Sequence, residues 1–169
     1  LSSTFCDNPI IKKNQMGKEI ERKFLVKNQD FKKFGRGTFI KQGFLSSVKE
    51  RVVRIRITGH QAFLTIKGIS KGAVRTEFEY EIPLEDAEFM MSDLCEKPII
   101  EKFRYRIKAA NVVWEVDEFK GLNEGLIVAE IELKSEDQVF DHPEWVGIEV
   151  TDDPRYFNSN LIRNPYSTW

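Results

Sequence analysis

Charged side chains recur at every second position through much of this sequence. Glu19, Glu21 and Lys23 form the first such set, with Ile20 and Phe24 on the alternate positions. Arg54 and Arg56 alternate with Val53, Ile55 and Ile57, and Thr65 and Lys67 with Leu64 and Ile66. Arg75, Glu77, Glu79 and Glu81 alternate with Phe78, Tyr80 and Ile82. Lys102, Arg104 and Arg106 follow with Phe103, Tyr105 and Ile107, then Glu115 and Asp117 with Trp114 and Val116, then Glu130 and Glu132 with Ile131 and Leu133. A period of two puts each set on one face of an extended segment. Taken singly, a charged strand face is ordinary solvated surface. Repeated along the chain, with large apolar residues opposite, the pattern favours a shared ionic cavity. Buried unpaired ions cost several kcal/mol each, so such a cavity needs partners from outside. Divalent cations satisfy clustered carboxylates, and Arg and Lys match phosphate oxygens. The expected ligand is a metal-bound phosphate chain.

The elements that must position these groups read as strands over Lys18–Val26, Thr38–Leu45, Arg51–Thr58, Ala62–Lys67, Val74–Pro83, Ile100–Lys108, Val112–Phe119 and Leu126–Lys134, with Gly, Ser and Asn between them. Leu84–Cys95 reads as a helix, with Leu84, Ala87, Met91 and Leu94 at helical spacing. Ser135–Phe140 reads as a second, capped by Ser135, and Pro154–Arg163 as a short third. Many strands and few helices in one small domain suggest a sandwich or a closed barrel. The charge pattern favours a wide barrel with an ionic lumen and a covered apolar exterior.

Composition narrows the chemistry. The 169 residues suit one domain, expected over 16–169. Residues 1–15 lack a sustained period and a long apolar stretch, so they are expected to be a disordered or non-native extension ahead of a start at Met16. The 26 basic and 27 acidic residues give a net charge of −1, which argues against a nonspecific nucleic-acid binder. No apolar run approaches the ~20 residues of a membrane helix. Cys6 and Cys95 make no thiolate metal motif, and a reducing cytoplasm fits them. His60 and His142 are too few for a histidine-based centre, and no phosphate-loop, dinucleotide, serine-elbow or zinc-protease motif occurs. Carboxylates, amines and guanidinium groups must carry the chemistry.

The ordered series resembles a known family. Glu19-Ile20-Glu21-Arg22-Lys23 is similar to the ExExK signature of the CYTH superfamily, the triphosphate tunnel metalloenzymes. Lys41–Leu45, Arg54–Arg56, Leu64–Gly68, Glu77–Ile82, Glu101–Tyr105, Trp114–Asp117, Ala129–Leu133 and Gly147–Thr151 follow in family order. The resemblance runs from about Met16 to about Leu161, and is greatest to the bacterial single-domain branch. It implies an α+β fold: a closed eight-stranded antiparallel β-barrel, forming a tunnel with a charged lumen and a few covering helices. It implies a Mg- or Mn-dependent triphosphatase acting on inorganic tripolyphosphate or a nucleoside triphosphate. Adenylate cyclisation of the CYTH type and a non-catalytic polyphosphate or nucleotide sensor are the alternatives. By resemblance, Glu19, Glu21, Asp117, Glu130 and Glu132 are metal ligands. Lys23, Arg54, Arg56, Lys67, Lys102 and Arg104 hold phosphate, and Glu77, Glu79 and Lys102 are the candidate catalytic groups. Phe44 stands where many relatives carry Tyr, so a hydroxyl that could bond phosphate is missing at this position. The expected partner is a small triphosphate, with no nucleic acid and no membrane; a homodimer is left open.

The remaining conspicuous residues read as structural. Trp114, Trp145 and Trp169 suit packing, Met90 and Met91 a helix core, Cys95 a buried site, and His60 and His142 the surface.

Overall fold

The computed structural model describes residues 20–69 and 76–169. Glu19, Arg75 and the expected extension at 1–15 lie outside the described residues. β-Branched and aromatic residues at alternate positions produce nine strands among the described residues: β1 (Ile20–Val26), β2 (Thr38–Ser46), β3 (Arg51–Thr58), β4 (Gln61–Gly68), β5 (Glu77–Ile82), β6 (Glu96–Ala109), β7 (Val112–Phe119), β8 (Ile127–Leu133) and β9 (Val146–Glu149). They form one antiparallel sheet in the order β5-β4-β3-β2-β6-β7-β8-β1-β9.

Two expectations need correction. The strands number nine rather than eight, and hydrogen bonds do not close the sheet: among the described residues the ladder ends at β5 and β9. β9 is the cause, because it takes the edge of β1 that closure onto β5 would use. Its register against β1 covers only Phe24↔Glu149 and Val26↔Val146, so it offers no long ladder beyond itself. Gly147 makes this approach feasible, since a Cβ there would lie 2.8 Å from the Leu25 carbonyl oxygen.

The helices depart from expectation in instructive ways. Leu84–Cys95 divides into α1 (Leu84–Phe89) and a π-helical turn over Met90–Leu94, closed by the Cys95 amide donating to the Met90 carbonyl at 2.9 Å. The wider turn keeps Ala87 and Met91 buried but rotates Leu94 out to 59% exposure. Ser135–Phe140 forms no helix. The Gln138 side chain accepts from the Lys134 amide at 2.8 Å, and Phe140 instead packs on Phe24 and Trp114. So short a segment has no independent helical stability against that packing. Pro154–Arg163 yields a 3-10 turn at Pro154–Tyr156, capped by the Asp153 side chain, and α2 (Asn158–Leu161). No helix among the described residues is long and apolar enough to cross a membrane.

Three apolar clusters brace the sheet. On the face opposite the charges, Ile20, Phe24, Phe31, Trp114, Ile131 and Trp145 pack with edge-on rings. Elsewhere on that face, α1 lies on β3 and β4 through Ala87, Met91, Ile55 and Ala62. The third cluster occupies the charged face itself: Phe44, Ile100, Phe119 and Val128 meet Tyr156, Leu161 and Ile162 of the C-terminal segment. One end of the ionic face is therefore apolar and covered by α2. Trp114 is fully buried at the centre of the ring cluster. Trp114→Ala is expected to cost about 3–5 kcal/mol of unfolding free energy, read from urea titration monitored by circular dichroism.

Candidate active site

Register determines which charged side chains share a face. Glu21 faces Glu132 and Lys23 faces Glu130 across β1 and β8. Glu115 faces Glu130 across β7 and β8, and Asp117 and Glu115 face Arg104 and Arg106 across β6 and β7. At the other side of the sheet, Arg54 faces Thr65, Thr65 faces Glu79, and Lys67 faces Glu77. The strands thus bring Glu21, Lys23, Arg54, Arg56, Lys67, Glu77, Glu79, Lys102, Arg104, Asp117, Glu130 and Glu132 to one face. Carboxylates of β5 lie on one side, those of β7, β8 and β1 on the other, and bases of β4, β3 and β6 between them.

Two ionic networks result. In the first, Asp117 is 1% exposed and accepts from Lys102 Nζ at 2.6 Å and from Arg104 Nε at 2.7 Å. Arg104 also donates to Glu115, and to Glu130 at 3.3 Å. Lys23 Nζ bridges Glu21 and Glu130. In the second, Arg56 donates to both Glu79 oxygens at 2.9 and 3.0 Å, and the Thr65 hydroxyl donates to Glu79 at 2.9 Å while accepting from Arg54 at 3.1 Å. Lys67 pairs with Glu77 at 2.6 Å.

Burial and charge shift these groups in opposing directions. Burial disfavours the Glu130 anion, but Lys23, Arg104 and Lys102 outweigh it and hold the carboxyl well below its usual range. Burial is likewise overcome at Asp117 by Arg104 and Lys102. Lys23 is raised, the Glu130 and Glu21 charges overcoming desolvation. At Lys102 desolvation wins over Asp117, and its amine lies below the usual range. Arg54 is also lowered, by burial first and then by Arg56.

The expected metal carboxylates occupy different surroundings. Asp117 is sealed between Lys102 and Arg104, so its oxygens already serve bases of the protein. Glu130 is engaged by Lys23 and Arg104. Glu21 is paired with Lys23 and faces Glu132, which is exposed. Like charges in that relation repel, which a cation would relieve. Among the described residues no three acidic, His or Cys side chains form a ready metal cage. An oxygen-only pair of carboxylates on the same face as a band of bases nevertheless suits magnesium, which commonly binds through one or two carboxylates and substrate oxygens. The residues fit such an ion on those terms.

Gln42 and Asn158, not singled out from sequence, and Thr65, which the alternation places beside Lys67, complete the site. Gln42 is 1% exposed, opposite Arg56 across β2 and β3. Its Nε2, with the Nε atoms of Arg54 and Arg56, has no hydrogen-bond partner among the described residues. Thr65 is fully buried between Arg54 and Glu79. Asn158 of α2 accepts from Lys102 at 3.5 Å. Gln42 shares its face of β2 with Ile40 and Phe44, so the alternation there did not mark it, and the approach of α2 left no periodic signal.

The depressed Glu130 and Asp117 values stabilise the fold fully above their unfolded values, 4.5 and 3.8. That contribution is lost as pH falls toward the folded values. Thermal melts from neutral pH down to about pH 2 should show the midpoint falling below about pH 4.5, with Glu130→Gln melting lower at neutrality and falling less in acid. Asp117→Ala, which strands the buried Lys102 and takes from Arg104 one of its three carboxylates, should lose about 3–5 kcal/mol by denaturant titration.

Comparison with known proteins identifies relatives of this chain along nearly its whole length. An inorganic triphosphatase from Acetivibrio thermocellus is 50% identical over 154 residues, covering 91% of this chain and 99% of its own. An inorganic triphosphatase from Nitrosomonas europaea is 37% identical over 152 residues, covering 85% and 95%. A solved crystal structure of an inorganic triphosphatase superposes with a TM-score of 0.61 at 33% identity, covering 87% of this chain and 95% of that one. The CYTH domain profile matches residues 17–166, and the chain belongs to the CYTH family.

Proposed function

We propose that this chain is a triphosphatase that hydrolyses inorganic tripolyphosphate on the ionic face of its sheet, with magnesium or manganese as cofactor. The observation that carries the reading is the band of bases between two sets of carboxylates, with buried N–H groups of Gln42, Arg54 and Arg56 left without acceptors. A phosphate chain supplies those acceptors and the negative charge that the bases need. The 50% identical inorganic triphosphatase supports the choice of substrate.

Arg54, Arg56, Lys67 and Arg104 hold the non-bridging oxygens, with Lys23 at the β1 side. Binding draws these bases toward the phosphate chain, and Glu77 and Glu79 then orient a water and take its proton. The water oxygen bonds to the terminal phosphorus as the bond from that phosphorus to the bridging oxygen breaks, releasing orthophosphate and pyrophosphate. Lys102, with its amine lowered by burial, gives a proton or a strong hydrogen bond to the departing oxygen. Asp117 keeps Lys102 and Arg104 in place. Glu21 and Glu132, with Glu130 and with Glu19 by resemblance, would hold the divalent ion. When bound, that ion neutralises phosphoryl charge and polarises the bond that breaks.

The test is incubation with tripolyphosphate or ATP and Mg or Mn, separating orthophosphate, pyrophosphate and cyclic AMP. Equal amounts of orthophosphate and pyrophosphate from tripolyphosphate are expected; cyclic AMP from ATP, or binding with no turnover, would reject the reading. Glu132→Gln should lower metal-dependent turnover by about a hundredfold or more with an unchanged circular dichroism spectrum. Full activity at ordinary Mg would remove Glu132 from the metal site. Arg56→Ala should raise KM by about tenfold or more.

A further inference from the structure

We propose that Gln42 contacts the substrate, donating its Nε2 hydrogens to a phosphoryl oxygen between the Arg54–Arg56 pair and Lys102, and so sets affinity for the phosphate chain. This rests on the triphosphatase reading above.

Placement is fixed by the backbone. β2 pairs with β3 on one side and β6 on the other, setting Gln42 opposite both Arg56 and Ile100. Ile40, the neighbouring position on the same face, lies opposite Lys102. Gln42 therefore stands between the two groups of bases. The next residue locks the strand: a Cβ on Gly43 would lie 2.7 Å from Cys95 Sγ, so β2 seats closely against the end of the π-helical turn.

The side chain is chemically out of place for a purely structural role. A buried amide N–H without an acceptor destabilises a fold, and an apolar side chain of the same shape would remove that cost. Gln42 is among the largest fully buried side chains, yet its Nε2 has no acceptor among the described residues. The Nε atoms of Arg54 and Arg56 on the adjoining strand share this condition, Arg56 directly opposite Gln42, so the same stretch of the ionic face holds three donors without acceptors. Neutrality also has a reason. Arg54 already has its charged form disfavoured by burial and by Arg56, and a further cation beside them would deepen the repulsion. An amide adds a donor without adding charge. It is a donor that a tetrahedral oxyanion accepts and an apolar ligand does not.

Gln42→Met retains shape and removes the donor; Gln42→Glu retains shape and presents oxygen instead. Sodium tripolyphosphate is titrated into the metal-free full-length protein while its melting temperature is followed, and KM and kcat are measured with Mg. Gln42→Met without ligand should melt at or above the wild-type temperature. It should need about tenfold more tripolyphosphate for the same shift, with KM raised in proportion and kcat little changed. Gln42→Glu should lose more. Wild-type titration and KM in Gln42→Met overturn the inference while leaving the triphosphatase reading intact. If Gln42→Met does not fold, wild-type affinity in Gln42→Glu overturns it equally. A wild type that neither shifts nor turns over tripolyphosphate overturns both.

Discussion

Opposite charges at alternate positions of adjacent strands are the constraint on which this fold turns. Lys102 and Asp117 are each 1% exposed and survive as ions only because Lys102 reaches diagonally across β6 and β7 to Asp117, which directly faces Arg104, itself shared among Asp117, Glu115 and Glu130. Removing one member would strand the others, since an unpaired ion in such surroundings is far costlier than a pair. Strand register therefore has two consequences at once. It places the apolar rings of Phe24, Trp114 and Trp145 on the covered face and matches acids to bases on the other. A slip of one residue would invert both faces, so the ionic pattern and the aromatic core enforce one alignment.

The same pairing explains how a face rich in ions can exist before a ligand arrives. Lys23 lies between Glu21 and Glu130, and Arg56 lies on Glu79. These contacts hold the bases where phosphate oxygens would reach them. Preorganisation of this kind lowers the ordering cost of binding, and the exchange of one anionic partner for another keeps each cation compensated.

Much of this was legible in the amino-acid sequence, because a period of two assigns faces without knowledge of topology. The inward sets on β1, β3, β4, β5, β6, β7 and β8 follow directly from that alternation. Long-range pairing was not legible in the same way. β9 is four residues long and depends on Gly147 fitting against Leu25, a contact that local pattern does not encode. The π-helical turn at Met90–Leu94 changed the exposure of Leu94 through one altered hydrogen bond. Gln42 drew no attention because it is uncharged, and its interest arises only from burial without an acceptor. Asn158 reaches Lys102 through the tertiary placement of α2.

The short edge strand β5 links chemistry to solubility. Phe78 and Tyr80 are 40% and 45% exposed on one side, while Glu77, Glu79 and Glu81 line the other. An unpaired, apolar strand margin invites another chain to add to it, and inward carboxylates are one of the devices by which natural sheets discourage such annealing. Glu77, Glu79 and Glu81 thus combine two physical properties on one strand: they neighbour the bases and put charge on a margin that would otherwise be wholly apolar.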